Sequence, residues 1–154
     1  MVRTRKLGHI ALRVSDIARS RDFYTAVLNM QVTSEDPETG VCALGLEPGR
    51  RDIFMHPAPT AERPDEEGPG LIHFAWRLED FRQVQDAYHA LRGMGMEPRT
   101  TLHYVTHSIY VQDPDGHTVE LYSDRWENGF EAMRDLGPMS VPMDIETGEP
   151  ARRE

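Results

Sequence analysis

The sequence predicts an α+β fold made of two tandem βαβββ modules whose sheets form one cupped, mixed surface around a metal site. Three observations predict it: an internal repeat, a polar and apolar alternation in the strand-like runs, and two histidines at equivalent repeat positions. Residues 7–32 and 71–96 superpose at a constant offset of 64, with nine identities in 26 positions: Leu7/Leu71, His9/His73, Ala11/Ala75, Arg13/Arg77, Asp16/Asp80, Asp22/Asp86, Tyr24/Tyr88, Ala26/Ala90 and Met30/Met94. Unrelated segments share far fewer, so the stretch is a duplicated supersecondary unit.

Each copy opens on a strand. A period of two puts His9, Ala11 and Arg13 on one face and Ile10, Leu12 and Val14 on the other, and His73, Ala75 and Arg77 repeat the first face. Asp16 caps a helix over Ile17–Leu28 with Phe23, Tyr24 and Val27 as its buried stripe, and Asn29 suits its end. Strand-like runs follow over Met30–Glu35, Val41–Leu46 and Arg51–Pro57, separated by Pro37-Glu38-Thr39-Gly40 and Glu47-Pro48-Gly49. These elements make a first module over residues 1–60. The stretch 58–70, rich in Pro, Gly and charge, reads as an exposed linker with its centre over 61–70.

The second module, 71–125, repeats the order. Its first strand is Leu71–Leu78, and Asp80 caps a helix running to Gly93. Strands follow over Pro98–His103, Thr106–Gln112 and His117–Ser123, the last two flanking the turn Asp113-Pro114-Asp115-Gly116. Over 126–154 the pattern changes: Trp126, Phe130 and Met133 recur at helical spacing, and the remainder has no periodicity and reads as an extended or frayed tail.

Composition narrows the function classes. The 154 residues are 38% apolar with a net charge of −9, which argues for a globular chain and against a phosphate-backbone partner. No apolar run reaches the length of a membrane span, and the basic start runs straight into a strand without a signal stretch, so a cytoplasmic protein is expected. The single cysteine, Cys42, excludes an internal disulfide.

A lone strand histidine is usually structural, but His9 and His73 occupy equivalent positions, and duplicated modules bring equivalent first strands together. Alternation in the last strand sets Glu120 with Thr118 and Tyr122, opposite Val119 and Leu121, so its carboxylate points into the same concave face. Two imidazoles and one carboxylate with open positions suit ferrous iron and tolerate manganese. For Tyr110 to share the face of Glu120, the loop between their strands must hold an odd number of residues.

Three segments, HIALRVSDIARSRDFYTAVLNM, GLIHFAWRLEDF and HSIYVQDPDGHTVELYSD, resemble the vicinal oxygen chelate superfamily. The ligand order His, His, Glu is similar to that of its small type I extradiol (catechol-cleaving) dioxygenases, and the resemblance covers residues 7–125. It implies a metal held by His9, His73 and Glu120, Fe(II) first and Mn(II) second, with a catechol-like aromatic diol and O2 as substrates. The family's last hairpin carries a Tyr seven residues after a His and the ligand Glu ten after that Tyr. His103, Tyr110 and Glu120 keep this spacing, which implies that His103 and Tyr110 act as hydrogen-bond or proton-transfer partners of the substrate.

The sequence also departs from the family. Arg50-Arg51 stands where a His-His pair is usual, and Leu102 and Tyr104 replace the Asp and Gly flanking the motif His. A guanidinium does not accept a proton, so Arg51 is expected to bind a substrate carboxylate, with Trp76 and Tyr122 shaping the pocket. His107 lies on the other face from Tyr110 and reads as structural. Competing readings are a fosfomycin-resistance-like thiol transferase drawing on Arg13, Arg77 or Arg99, a glyoxalase-like isomerase for which 51–57 lacks a fourth ligand, and a metal-free sequestering protein. Small proteins of this type often pair, and a homodimer is expected.

Overall fold

The computed structural model describes residues 3–58, 68–127, 131, 134 and 140–152. Most of the expected linker and the apolar positions Phe130 and Met133 of the expected short helix lie outside the described residues. The elements run β1 (Ile10–Val14), α1 (Ile17–Leu28), β2 (Gln31–Glu35), β3 (Cys42–Gly45) and β4 (Ile53–Pro57), then β5 (Phe74–Arg77), α2 (Phe81–Gly93), β6 (Arg99–His103), β7 (Thr106–Gln112) and β8 (Thr118–Asp124), closing with β9 (Ser140–Pro142). The βαβββ order thus occurs twice. The chain forms two compact units, Met1–Gly68 with Asp113–Gly116, and Pro69–Gln112 with His117–Glu154.

The first unit holds a four-stranded sheet in the order β1-β4-β3-β2. Strands β1 and β4 run parallel, with Leu12 opposite Met55, while β3 and β4 are antiparallel, with Leu44 opposite Ile53. Side chains alternate across the sheet, so Leu12, Val14, Cys42, Leu44, Ile53 and Met55 share one face and are all buried. Helix α1 contributes Phe23 and Tyr24 to this core. The Asp16 carboxylate accepts from the Arg19 backbone N–H at 3.0 Å, and Asn29 ends the helix in the left-handed conformation at φ 52°.

Two anchors fix the loops of this unit. The Asp52 carboxylate accepts from Arg50 Nη2 at 2.7 Å and from the Leu46 backbone N–H at 3.0 Å, which holds Arg50 to Asp52 in the β3–β4 connection. Strand β4 accordingly begins at Ile53 and not at Arg51. The turn Asp113–Gly116 packs on the start of α1: Tyr24 Oη donates to Asp113 Oδ2 at 2.7 Å, and Asp115 accepts from the Ser15 backbone N–H and from Arg19 Nη2, each at 3.1 Å.

The second unit holds a five-stranded sheet in the order β5-β8-β7-β6-β9. Helix α2, capped by Asp80 accepting from the Gln83 backbone N–H at 2.9 Å, brings Val84 and Leu91 onto the buried face with Leu102, Ile109, Val119 and Leu121. Of the two expected forms of the tail, extended or frayed, residues 140–142 take the extended one. Instead of fraying, β9 pairs antiparallel with β6, with Leu102 opposite Val141, and Met143 is buried beyond it. Residues 144–149 then turn back, with the Asp144 backbone N–H donating to Glu149 O at 2.9 Å and Gln85 Nε2 donating to Ile145 O at 3.0 Å. A three-residue edge strand beside prolines offers no periodic pattern to read in advance.

Candidate active site

The loop between β7 and β8 decides which residues meet. Gln112 pairs with Thr118, so residues 113–117 form a five-residue connection, and Tyr110 falls opposite Glu120. This is the odd count that the shared face requires. Parallel pairing of β5 with β8 sets Ala75 beside Glu120 and Arg77 beside Tyr122. Antiparallel pairing of β6 with β7 sets Arg99 beside Tyr110. One face of the sheet therefore carries Ala75, Arg77, Arg99, Tyr110, Glu120 and Tyr122, and the opposite face is the core under α2.

On the polar face a chain of contacts joins four of the expected residues. Tyr110 Oη donates to Glu120 Oε1 at 2.9 Å, His103 Nε2 lies 2.9 Å from the same Tyr110 oxygen, and His73 Nε2 lies 3.0 Å from Glu120 Oε2. A phenol has one proton, and Tyr110 gives it to Glu120, so His103 must be the donor in its own contact and carries its proton on Nε2. Burial first, and then the bond to Glu120, push the Tyr110 phenol well above the ordinary tyrosine range. It stays protonated. Glu120 is only 7% exposed, and its two oxygens are met by two different partners, which a buried carboxylate needs.

The donor set can be tested for a metal ion. An imidazole nitrogen and a carboxylate oxygen point at one another across 3.0 Å on a polar face, and a divalent cation replacing the proton between them would meet two ligands of the types that bind iron or manganese. His73 and Glu120 fit such an ion. Among the described residues, no group of three or more His, Cys, Asp and Glu side chains is placed to hold a metal ion. His9 belongs to the first unit, where it directly precedes β1 as His73 precedes β5, and its ring meets Phe54 edge-on at 4.9 Å.

The remaining expected residues are placed as follows. Tyr122 shares the face of Glu120, half-buried, with its phenol raised first by burial and then by Asp124. Arg51 is exposed in the loop before β4 of the first unit. Trp76 needs correction as a pocket residue: its register partner is Leu121, so it stands on the core face of the sheet, away from Glu120. Its alternation with Phe74 in β5 is consistent with this side. His107 is structural, as the alternation indicated, with its ring 4.2 Å from that of Phe81 on the core side.

Arg99 carries more weight than the sequence suggested. Its guanidinium carbon sits 4.3 Å from the centre of the Tyr110 ring, and Nη1 donates to Thr101 Oγ1 at 2.9 Å. A cavity of about 530 Å³ opens here, lined by Met96, Glu97, Arg99, Tyr110, Val111, Gln112 and Thr118. The alternation Arg99, Thr101, His103 in β6 was the available signal.

Comparison with known proteins identifies relatives of the chain. The family model described as Glyoxalase/Bleomycin resistance protein/Dioxygenase superfamily matches residues 6–121. Biphenyl-2,3-diol 1,2-dioxygenase 2 of Rhodococcus globerulus is 30% identical over 99% of this chain and 88% of its own length. Biphenyl-2,3-diol 1,2-dioxygenase 3 of the same organism is 31% identical over 82% of this chain and 67% of its own. Among solved structures, the fosfomycin resistance protein FosX of Listeria monocytogenes superposes with a TM-score of 0.66 at 19% identity, covering 84% of this chain and 98% of its own, a likeness of fold.

Proposed function

Because the chain belongs to the Glyoxalase/Bleomycin resistance protein/Dioxygenase superfamily, we propose that it is a metal-dependent extradiol dioxygenase that opens a catechol-like aromatic diol with dioxygen. The observation that carries this reading is the continuous chain of contacts His103, Tyr110, Glu120, His73 on one polar face, which supports His73 and Glu120 as metal ligands and His103 and Tyr110 as a proton-handling pair. The relatives that act on biphenyl-2,3-diol support a vicinal aromatic diol as the substrate class.

In this reading His73 and Glu120 hold the ion, and His9, the repeat equivalent of His73, is the third ligand. Ferrous iron, or manganese in its place, would supply the Lewis acidity that acidifies a phenol and the redox chemistry that engages dioxygen. The protein's own groups then divide the proton work. Tyr110, held protonated, donates a hydrogen bond and fixes the orientation of Glu120. His103, whose Nε2 meets the Tyr110 hydroxyl at 2.9 Å, is the imidazole placed to exchange a proton with a substrate bound beside that hydroxyl. Tyr122 lines the polar face beside Glu120.

Metal analysis after anaerobic purification, followed by oxygen uptake with catechol and biphenyl-2,3-diol, tests the proposal. Bound iron with diol-dependent oxygen consumption is the expected result. Bound manganese with thiol addition to an epoxide would assign a transferase instead, and a protein that takes up neither metal would be a sequestering protein.

A further inference from the structure

We infer that Arg99 is a specificity-determining residue that anchors a carboxylate on the substrate, so that the preferred diols are aromatic acids such as dihydroxybenzoates. The inference deepens the dioxygenase reading and rests on it for the identity of the ring. Its physical basis lies within the second unit. The guanidinium is stacked on the Tyr110 ring at 4.3 Å and tied through Nη1 to Thr101, so its plane is fixed while donors of its fork remain for a ligand. A planar fork held in place binds a carboxylate bidentately with little further ordering.

Charge compensation within the cavity leaves that role open. Glu97, which lines the cavity, is paired with Arg92, and Glu120, opposite Tyr110 in the sheet register, is engaged by Tyr110 and His73. Among the described residues, Arg99 itself makes the two contacts above and no ion pair with a carboxylate. The chain as a whole carries a net charge of −9, which disfavours anions, so an acid entering this cavity needs a local cation. Arg99 stands beside Tyr110, whose hydroxyl belongs to the proton-handling chain, so a ring lying against Tyr110 can present its acid group to Arg99.

Binding to the metal-free protein tests this without relying on turnover. Isothermal titration with 3,4-dihydroxybenzoate and with catechol should show at least a tenfold preference for the acid in the unaltered protein. In Arg99→Met the preference should fall to near one, and in Arg99→Lys it should be partly kept, because a point charge replaces the fork. Arg51→Ala should keep the preference. Equal affinities in the unaltered protein, binding of neither probe, a preference that survives Arg99→Met, or one lost only in Arg51→Ala would each overturn the inference. Failure of the dioxygenase reading would look different: no oxygen uptake by iron-loaded protein with any diol, while the Arg99-dependent preference for the acid persists.

Discussion

Glu120 is the residue on which the candidate site turns, because a buried carboxylate is tolerated only when its oxygens are satisfied. Tyr110 and His73 satisfy them, one through a phenol that cannot ionise near neutral pH and one through an imidazole nitrogen that a cation can claim. Replacing His73, Glu120 or His9 with Ala should therefore abolish metal retention and oxygen uptake together, whereas His107→Ala should leave metal content unchanged. Elemental analysis of each purified variant checks this, and a Glu120→Ala protein that keeps its metal would defeat the ligand assignment. Tyr110→Phe should retain metal yet lose about 10²-fold or more in kcat, the usual scale for a proton-handling group. The lone thiol is a contrasting case. Cys42 is buried, and burial first, with Glu35 adding to it, pushes its pKa up to about 11. It should resist thiol-modifying reagents at pH 8 in the folded protein and react at once in denaturant; rapid modification of the native protein would show the site to be open.

At the scale of elements, strands and helices follow from local pattern, and the tail does not. Alternation and caps announced α1 from Asp16 to Asn29 because each residue there acts on its own neighbours. Strand β9 holds its place through distant partners: Thr100 Oγ1 donates to Met143 O at 2.7 Å, and Gly148 lies over His107 and Phe81. Gly148 has φ 73°, and a Cβ there would come within 2.9 Å of His107 Nε2, so Gly148→Ala should cost roughly 1–2 kcal/mol from backbone strain alone. His107 titrates under this cover. Burial first, and then Arg125, lower its pKa, while Glu149 and the Gly148 backbone oppose them. A depressed folded pKa means the neutral ring is favoured in the fold, so its stability contribution is present above the ordinary histidine value of 6.5 and is lost as pH falls through the lowered value. Thermal unfolding from pH 7.5 to 5 should show a falling midpoint that is flatter in His107→Gln, and an identical slope in both proteins would remove His107 from the account.

At the scale of the whole molecule, duplication made the two βαβββ orders legible through an offset of 64, whereas the parallel β1–β4 and β5–β8 pairings and the five-residue loop that sets Tyr110 opposite Glu120 depend on register between strands distant in sequence. Trp76 follows the alternation of its strand: β5 is half-buried at Phe74 and Trp76 and exposed at Ala75 and Arg77, and register with Leu121 sets the indole on the face away from Glu120. The value of Arg99 was hidden for a related reason, since stacking on Tyr110 depends on strand pairing across the β6–β7 connection. Duplication also bears on assembly. Each unit leaves large apolar side chains in water directly before its first strand: Leu7 is 78% exposed in the first, and Leu71 and Ile72 are 71% and 85% exposed in the second. Exposed apolar groups of this size favour association, while a charge of −9 on each copy opposes it. Salt screens the repulsion and leaves apolar burial intact, with a screening length of about 8 Å at 0.15 M. Light scattering should then give twice the 17.6 kDa chain mass at moderate ionic strength, with the dimer fraction rising as salt is added, and Ile72→Glu should shift the protein toward the single-chain mass. A mass of one chain at every salt concentration would rule out the homodimer, and a dimer that weakens with salt would show that ion pairs hold it instead.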